Sequence, residues 1–191
     1  GRHAMVSVEA LWIPILLSAV IVFVASWIIH MALPWHKLDY PKLAAEASVI
    51  DALRPLALPP GDYMIPRATN MKEMKTPEFL ERMRQGPVIL MTVRPNGPWN
   101  MGRSLSQWFI YSIVVSIFAA YVARRALPPG TDYLHVFKIV AATATAGYSL
   151  ALFQLAIWFG RGWGLTLRSV IDGVIYAALT AGTFGWLWPG A

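Results

Sequence analysis

The sequence predicts an all-α membrane protein with four transmembrane helices and a small, Pro-rich, mixed α/β extramembrane cap between the first and second helices. Of the 191 residues, 57% are hydrophobic and only 14% are charged, whereas soluble domains are about 25% charged. Four apolar segments are each long enough to cross the ~30 Å core of a bilayer. The one sizeable polar stretch lies between the first two of these segments.

The first predicted span covers residues 10–33 and contains no Asp, Glu, Lys or Arg. This run exceeds the ~20 residues needed to cross a bilayer core, and it is too long for the apolar part of a signal peptide. Pro34 ends the helix because proline cannot continue the backbone hydrogen bonding. Residues 1–4 are interpreted as a tag remnant before Met5, so residues 5–34 form the first membrane segment.

The cap is predicted over residues 35–103. Apolar residues at helical spacing predict an amphipathic helix over residues 41–54. A second helix is expected to begin at Thr76, which is followed by Pro and Glu, a typical helix start. Short β-prone runs at residues 63–65 and 87–93 are expected to be strands. The region is too small and too rich in Pro for a strong core of its own.

The remaining segment, residues 104–191, carries the other three predicted spans. The second covers residues 104–123, the third residues 139–160 and the fourth residues 165–188. Only four residues, 161–164, connect the last two spans, which therefore form an antiparallel hairpin.

Four spans place both termini on one side of the membrane and the cap on the other. Six basic residues near span ends lie on the cap side and three on the opposite side, which predicts a cytoplasmic cap and periplasmic termini. The overall pattern resembles that of small bacterial inner-membrane proteins, which implies a multi-pass protein of the inner (plasma) membrane. The cap-side residues are Lys37, Lys42, Arg94, Arg103, Arg161 and Arg168, and the opposite ones are Arg124, Arg125 and Lys138.

The fourth predicted span carries a stripe of small residues at four-residue spacing. Helices in lipid gain little from apolar burial and associate where small residues let their backbones approach closely. We predict that this stripe packs against a similar stripe on the third span, with a homodimer contact as the alternative. The fourth-span stripe comprises Gly173, Ala177, Ala181 and Gly185, and the third-span stripe comprises Thr143, Gly147 and Ala151.

Asp172 is the only acidic residue inside any of the long apolar runs. A carboxylate in a bilayer is costly, which makes it a functional-site candidate. Arg168 precedes it by one helical turn, roughly 6 Å along the axis. The structural explanation is an Arg168–Asp172 ion pair that neutralises both groups, and this pair is our prediction.

A functional explanation makes Asp172 an ion or proton site. Polar residues continue from it along the same helix, and others fall near the same membrane leaflet. The predicted intramembrane polar site comprises Asp172, Arg168, Tyr176, Thr180, Gln154 and His30.

The composition and the absence of known motifs argue against metal binding, cofactor binding, hydrolysis and nucleic-acid binding. Cysteine is absent and the four histidines are scattered, so no metal site and no cofactor are predicted. No hydrolase or phosphate-binding motif is present, so no catalytic residue is assigned. The net charge of +6 is expected from membrane topology and does not call for nucleic acid. Six of the eight methionines are attributed to filling the small core of the cap, and they are Met64, Met71, Met74, Met83, Met91 and Met101.

These observations predict an integral membrane protein that acts as a non-enzymatic binding or accessory subunit. Its partners would be the lipid bilayer, a protein bound through the cap, and other copies of the chain. One alternative is a small oligomeric ion or proton conduit that uses Asp172. The other is a membrane-embedded lipid-modifying enzyme, with Asp172 as the acid and Arg168 as the anion anchor.

Overall fold

The computed structural model describes residues 5–190, so the tag remnant expected at residues 1–4 lies outside the described part. The chain divides into two compact units. The first, called here the helix unit, contains the chain up to Pro41 and from Asn100 onward. The second, called here the insert, is residues 42–99. The predicted cap began at residue 35, but residues 35–41 belong to the helix unit.

The protein is mostly helical, at 68%, and contains one small two-stranded sheet. In chain order its elements are α1 (Trp12–Trp27), α2 (Glu46–Leu53), β1 (Gly61–Ile65), α3 (Pro77–Gln85), β2 (Ile89–Val93), α4 (Met101–Ala126), α5 (Tyr133–Tyr148), α6 (Phe153–Phe159) and α7 (Trp163–Trp186). A 3-10 turn, Glu9–Leu11, precedes α1, and a π-helical turn, Ile28–Ala32, follows it.

Among residues 5–190, four helical stretches are long and apolar enough to cross a membrane. They are Glu9–Ala32, Met101–Ala126, Tyr133–Phe159 and Trp163–Trp186. Between 28% and 39% of the residues in the apolar window of each stretch are buried. Most of their apolar side chains therefore point away from the protein interior, as expected of helices surrounded by lipid.

The long helices of the helix unit pack in a ring, in which α1 contacts α4 and α7, and α5 contacts the same two helices from the other side. Two apolar clusters fill the interior. The first contains Val6, Leu11, Ala119, Ala120, Ala123, Val136, Val140, Ala181, Phe184 and Trp188. The second contains Val22, Ile29, Val115, Ala144, Tyr148, Tyr176 and Ala177.

The two ends of the helix unit are distinct. At one end the chain termini meet the α4–α5 connection: Arg124 Nε donates to the carbonyl of Val6 at 3.1 Å, and Gly130 N donates to that of Pro189 at 2.9 Å. The short α6–α7 connection lies at the opposite end of the helix unit, as its position in an up-and-down order requires.

The third long helix is interrupted near its middle, where the sequence predicted an unbroken span. α5 ends at Tyr148, and a 3-10 turn, Leu150–Leu152, leads into α6. The Ser149 hydroxyl at the break donates to the carbonyl of Val170 on α7 at 3.1 Å. The backbone at the break also lies close to Gly173. The interruption therefore lies beside a close contact between the third long helix and α7.

The insert contains the predicted strands and the predicted second helix. β1 and β2 pair antiparallel, with Gly61 opposite Val93 and Ile65 opposite Ile89. The Thr76 hydroxyl caps α3 by accepting from the backbone N–H of Phe79 at 3.3 Å. The amphipathic helix predicted over residues 41–54 is shorter in the structure, where it is limited to α2 and a following 3-10 turn.

The insert buries very little of its apolar surface. Phe79 is the only buried residue that the structure describes within residues 42–99. The expectation that methionines fill a small core here is wrong, because five of the six are exposed. Met64, Met71, Met74 and Met83 lie in the insert, and Met101 lies at the start of α4. A two-stranded sheet is marginally stable by itself, and the insert adds almost no core to support it.

Candidate functional site

The candidate site forms where the chain leaves the first long helix. Pro34 cannot continue the helix, and the chain instead forms a 3-10 turn, Pro34–His36. This turn carries the Trp35 and His36 side chains to α7, and Asp39 follows three residues later. Together with Arg168 and Asp172 of α7, these residues form a hydrogen-bonded group called here the His36 network.

Asp172 is buried in this network, with 4% of its side chain exposed. Its Oδ1 accepts a hydrogen bond from Trp35 Nε1 at 3.0 Å. Its Oδ2 lies 2.8 Å from His36 Nε2. Both carboxylate oxygens therefore have partners from the turn that follows the first helix, which offsets the cost of burying the charge.

Asp39 occupies an equivalent position on the other side of His36. Its Oδ2 lies 2.6 Å from His36 Nδ1, and its Oδ1 accepts from Arg168 Nε at 2.7 Å and from Arg168 Nη2 at 2.5 Å. Burial raises the pKa of Asp39, but the hydrogen bonds from His36 and Arg168 outweigh it and hold the pKa below its usual value.

His36 therefore bridges two carboxylates. An ionised carboxylate can only accept hydrogen bonds, so both ring nitrogens donate when Asp39 and Asp172 are ionised, and His36 is then an imidazolium. Arg168 adds a guanidinium beside Asp39. Each of the four ionisable groups therefore has a hydrogen-bonding partner within the network, which allows them to remain packed together in a largely apolar unit.

His30 lies beside the network. Its ring stacks on the ring of His36, with centroids 4.3 Å apart and planes inclined by 11°. Its Nδ1 lies 3.0 Å from the carbonyl of Ser26. Since a carbonyl oxygen only accepts, Nδ1 carries a proton in this contact, and in the neutral form of the ring Nε2 holds the lone pair.

The predicted Arg168–Asp172 ion pair is wrong. Arg168 pairs with Asp39, and Asp172 contacts Trp35 and His36 instead. The physical reason is that residues 35–39, expected in the cap, fold against α7 and supply a separate partner to each charge.

The other predicted polar residues do not form one continuous line with Asp172. The Tyr176 hydroxyl is buried and has no hydrogen-bond partner among the described residues. The Thr180 hydroxyl donates to the carbonyl of Tyr176, one turn back on its own helix, at 2.9 Å. Gln154 is exposed on α6. Of the predicted site, the structure brings together Asp172, Arg168 and, by stacking, His30.

The small stripe of α7 lies against the third long helix, as expected, but its partners differ from the prediction. A Cβ added to Gly173 would lie 2.8 Å from the carbonyl oxygen of Tyr148, and one added to Gly185 would lie 2.6 Å from the ring of Tyr133. Ala177 and Ala181 are buried between them. These contacts fix the position of Asp172 along the helix axis relative to α5.

The stripe predicted on the third helix is wrong by one residue, because the buried face of α5 consists of the positions next to the predicted ones. The buried face of α5 is Val136, Val140, Ala144 and Tyr148. Gly147 instead lies against Val115 of α4, where an added Cβ would lie 3.0 Å from Cγ1. Thr143 is half-buried and Ala151 is exposed. The rotation of a helix depends on all its neighbours, and spacing within one helix does not determine it.

Sequence reasoning missed Trp35, His36 and Asp39, although a local signal was present. Polar and aromatic residues follow Pro34 directly, and His36 and Asp39 have the i, i+3 spacing at which side chains in a turn can meet.

Comparison with known protein families, curated proteins and solved structures finds no match to this chain.

Proposed function

We propose that this protein is a multi-pass bacterial inner-membrane protein that acts as a non-enzymatic accessory subunit and binds a partner protein through the insert. One observation carries the proposal: the insert buries only Phe79 while it exposes many large apolar side chains. Exposed apolar patches of this kind are typical of interaction surfaces.

The sheet of the insert provides a defined part of that surface. Met64 of β1 and Leu90 of β2 are cross-strand partners and are 53% and 47% exposed. Both strands are edge strands, whose unpaired backbone groups are ready to hydrogen-bond to another chain. A partner that covers this face would supply the apolar burial that the insert lacks.

The charge of the insert favours a protein partner over an anionic lipid surface. Residues 42–99 contain eight Lys or Arg and six Asp or Glu, in mixed order. Surfaces that bind anionic lipid by charge carry clusters of basic residues. The mixed pattern here suits recognition of a protein with its own apolar patch.

The proposal is tested by purifying the full chain from its native membranes in a mild detergent. We expect a partner protein in a stoichiometric amount, and we expect Met64→Thr with Leu90→Thr to lose it. Met71→Thr, which removes an exposed apolar side chain outside the sheet, is the matched control and should retain the partner. If the double variant retains the partner, or if the wild type copurifies with none, the proposal is wrong.

The proposed orientation places the insert in the cytoplasm and the chain termini in the periplasm. Because the chain has no cysteine, Arg67→Cys and Pro129→Cys each introduce a single reactive thiol. A membrane-impermeant maleimide added to intact spheroplasts should label Pro129→Cys and leave Arg67→Cys unlabelled until the cells are lysed. The reverse pattern would overturn the orientation.

A further inference from the structure

We propose that His30, His36 and Asp172 form a binding site for a divalent first-row transition-metal ion such as Zn²⁺. One donor atom from each of these three residues lies within 4.8 Å of the other two. Ligand atoms around a tetrahedral zinc ion are roughly 3.3 Å apart, given metal–ligand bonds of about 2.0–2.1 Å. The three donors are therefore close enough to surround one ion once the stacked His30 ring turns toward it.

The donor set selects the class of metal. Two imidazoles and one carboxylate suit Zn²⁺, Fe²⁺ and related ions, whereas Mg²⁺ and Ca²⁺ prefer oxygen ligands alone. The chain offers no thiolate, because it contains no cysteine. Three protein ligands leave at least one coordination position for water or another small ligand.

The surroundings of the three donors are those of a metal site. Metal-binding histidines usually hydrogen-bond their second nitrogen to a carboxylate or a backbone carbonyl, which orients the ring and fixes the tautomer. His36 Nδ1 is held in this way by Asp39 at 2.6 Å, and His30 Nδ1 by the carbonyl of Ser26 at 3.0 Å. The atoms left for the metal are Nε2 of each ring.

The carboxylate is oriented in the same manner. Trp35 Nε1 binds Oδ1 of Asp172, which leaves Oδ2 as the oxygen nearest His36 Nε2 at 2.8 Å. Arg168 in turn holds Asp39. His36 and Asp172 thus each have one atom held by the protein and one atom directed toward the other, whereas the stacked His30 ring reaches them only after it turns.

Binding changes two features of the network. The ion takes the place of the proton between His36 Nε2 and Asp172 Oδ2, so one proton is released to solvent. An ion must also lie near the plane of each imidazole, which two stacked rings do not allow, so the His30 ring turns about its Cβ–Cγ bond, and its Nδ1 contact with the Ser26 carbonyl lengthens or breaks. This torsion is broad for histidine, and His30 is exposed.

An ion can reach the site from the neighbouring cavity. A cavity of about 540 Å³ lies between the end of the first long helix and α7. Trp35, Arg168 and Asp172 contribute to its polar part, and Ile29, Ile171 and Ile175 to its apolar part. Of the three proposed ligands, Asp172 lines this cavity, so the cavity meets the site at its carboxylate.

The test uses full-length protein without a polyhistidine tag, purified in detergent and treated with a chelator. Isothermal titration with Zn²⁺ should show one ion per chain, and Co²⁺ should give a visible absorption band of nitrogen and oxygen ligation. His30→Asn, His36→Asn and Asp172→Asn should each weaken binding by at least about 100-fold. Asp39→Asn changes a group that orients His36 and pairs with Arg168 but is not a proposed ligand, and it should weaken binding by about 10–100-fold.

His135→Asn is the matched control, because His135 pairs with Asp132 on an exposed surface at the other end of the helix unit. It should leave Zn²⁺ affinity unchanged. His30→Asn is the decisive variant, since His30 makes a single side-chain hydrogen bond and its loss should leave the melting temperature within a few degrees of wild type. Absence of stoichiometric binding in the wild type, or wild-type affinity in a folded His30→Asn protein, would refute the site.

Discussion

Arg168 binds Asp39 through two nitrogens, at 2.7 and 2.5 Å from the same carboxylate oxygen, although the two residues are 129 positions apart. This contact ties the segment after the first long helix to the last long helix. Because Arg168 binds Asp39, it does not pair with Asp172, the partner that helical spacing predicts. The stability of the helix unit should therefore depend on a pair that links two distant parts of the chain.

A double-mutant cycle measures this link. Asp39→Asn should lower the free energy of unfolding by about 3 kcal/mol, the low end of the range for a broken buried pair, because Arg168 retains 28% exposure. Its coupling energy with Arg168→Gln should be about 1–3 kcal/mol. The exposed pair Asp51–Arg54 is the control and should couple by less than ~0.5 kcal/mol. A larger coupling of Arg168 with Asp172 than with Asp39 would contradict the geometry.

The close approach of α7 to α5 predicts a graded response to added methyl groups. Gly173→Ala should destabilise by about 1–3 kcal/mol, because its Cβ would meet the backbone carbonyl of Tyr148 at 2.8 Å. Gly147→Ala should cost less, since the Val115 side chain it meets can rotate.

Gly164→Ala is the control for these substitutions. Its Cβ would meet only the end of the flexible Arg168 side chain, at 3.8 Å, and alanine favours helix over glycine by about 1 kcal/mol. Thermal unfolding in detergent should rank the variants with Gly164→Ala most stable and Gly173→Ala least. The same melting temperature for all three would mean that these helices do not pack as described.

The contact between Asp132 and His135 at the start of α5 predicts that the stability of the fold depends on pH. A hydrogen bond from His135 and backbone N–H groups lower the pKa of Asp132 below the unfolded value of 3.8. A lowered pKa means that the carboxylate stabilises the folded state above that value and that this stabilisation is lost as pH falls through the folded pKa. Wild-type melting temperature should therefore decline as pH falls below about 4.

Asp132→Asn separates this contribution from those of other carboxylates. Asparagine can still cap the helix but does not titrate, so the variant should lose less stability than wild type over the same acidic range. Because Asp132 is exposed, added salt should reduce the difference. Parallel pH profiles for the two proteins would show that the Asp132–His135 contact does not stabilise the fold.

The contrast between predicted and missed features has a physical basis. The four long helices follow from the length of the apolar runs, and the helix N-cap at Thr76 follows from side chains within one turn. A sequence therefore reveals both directly. The partners of Asp172 are 136 and 137 residues away and arrive through a short turn after Pro34. The buried face of α5 also depends on the two long helices that it contacts, α4 and α7, and spacing within α5 alone does not place Gly147 against α4.

The conduit alternative can be decided by proton flux in liposomes. From Asp172 toward the end of α7, the hydroxyls of Thr180 and Thr183 donate to carbonyls of their own helix at 2.9 and 2.8 Å. Phe184 is fully buried in the apolar cluster at the end of the helix unit where the chain termini lie. A proton path needs hydrogen-bonding groups that are free to exchange partners, and these are already engaged. We therefore expect wild type and Asp172→Asn to show the same proton flux as empty vesicles, with a protonophore confirming that the vesicles are sealed. Flux in the wild type that Asp172→Asn abolishes would instead identify a conduit and overturn the accessory-subunit proposal.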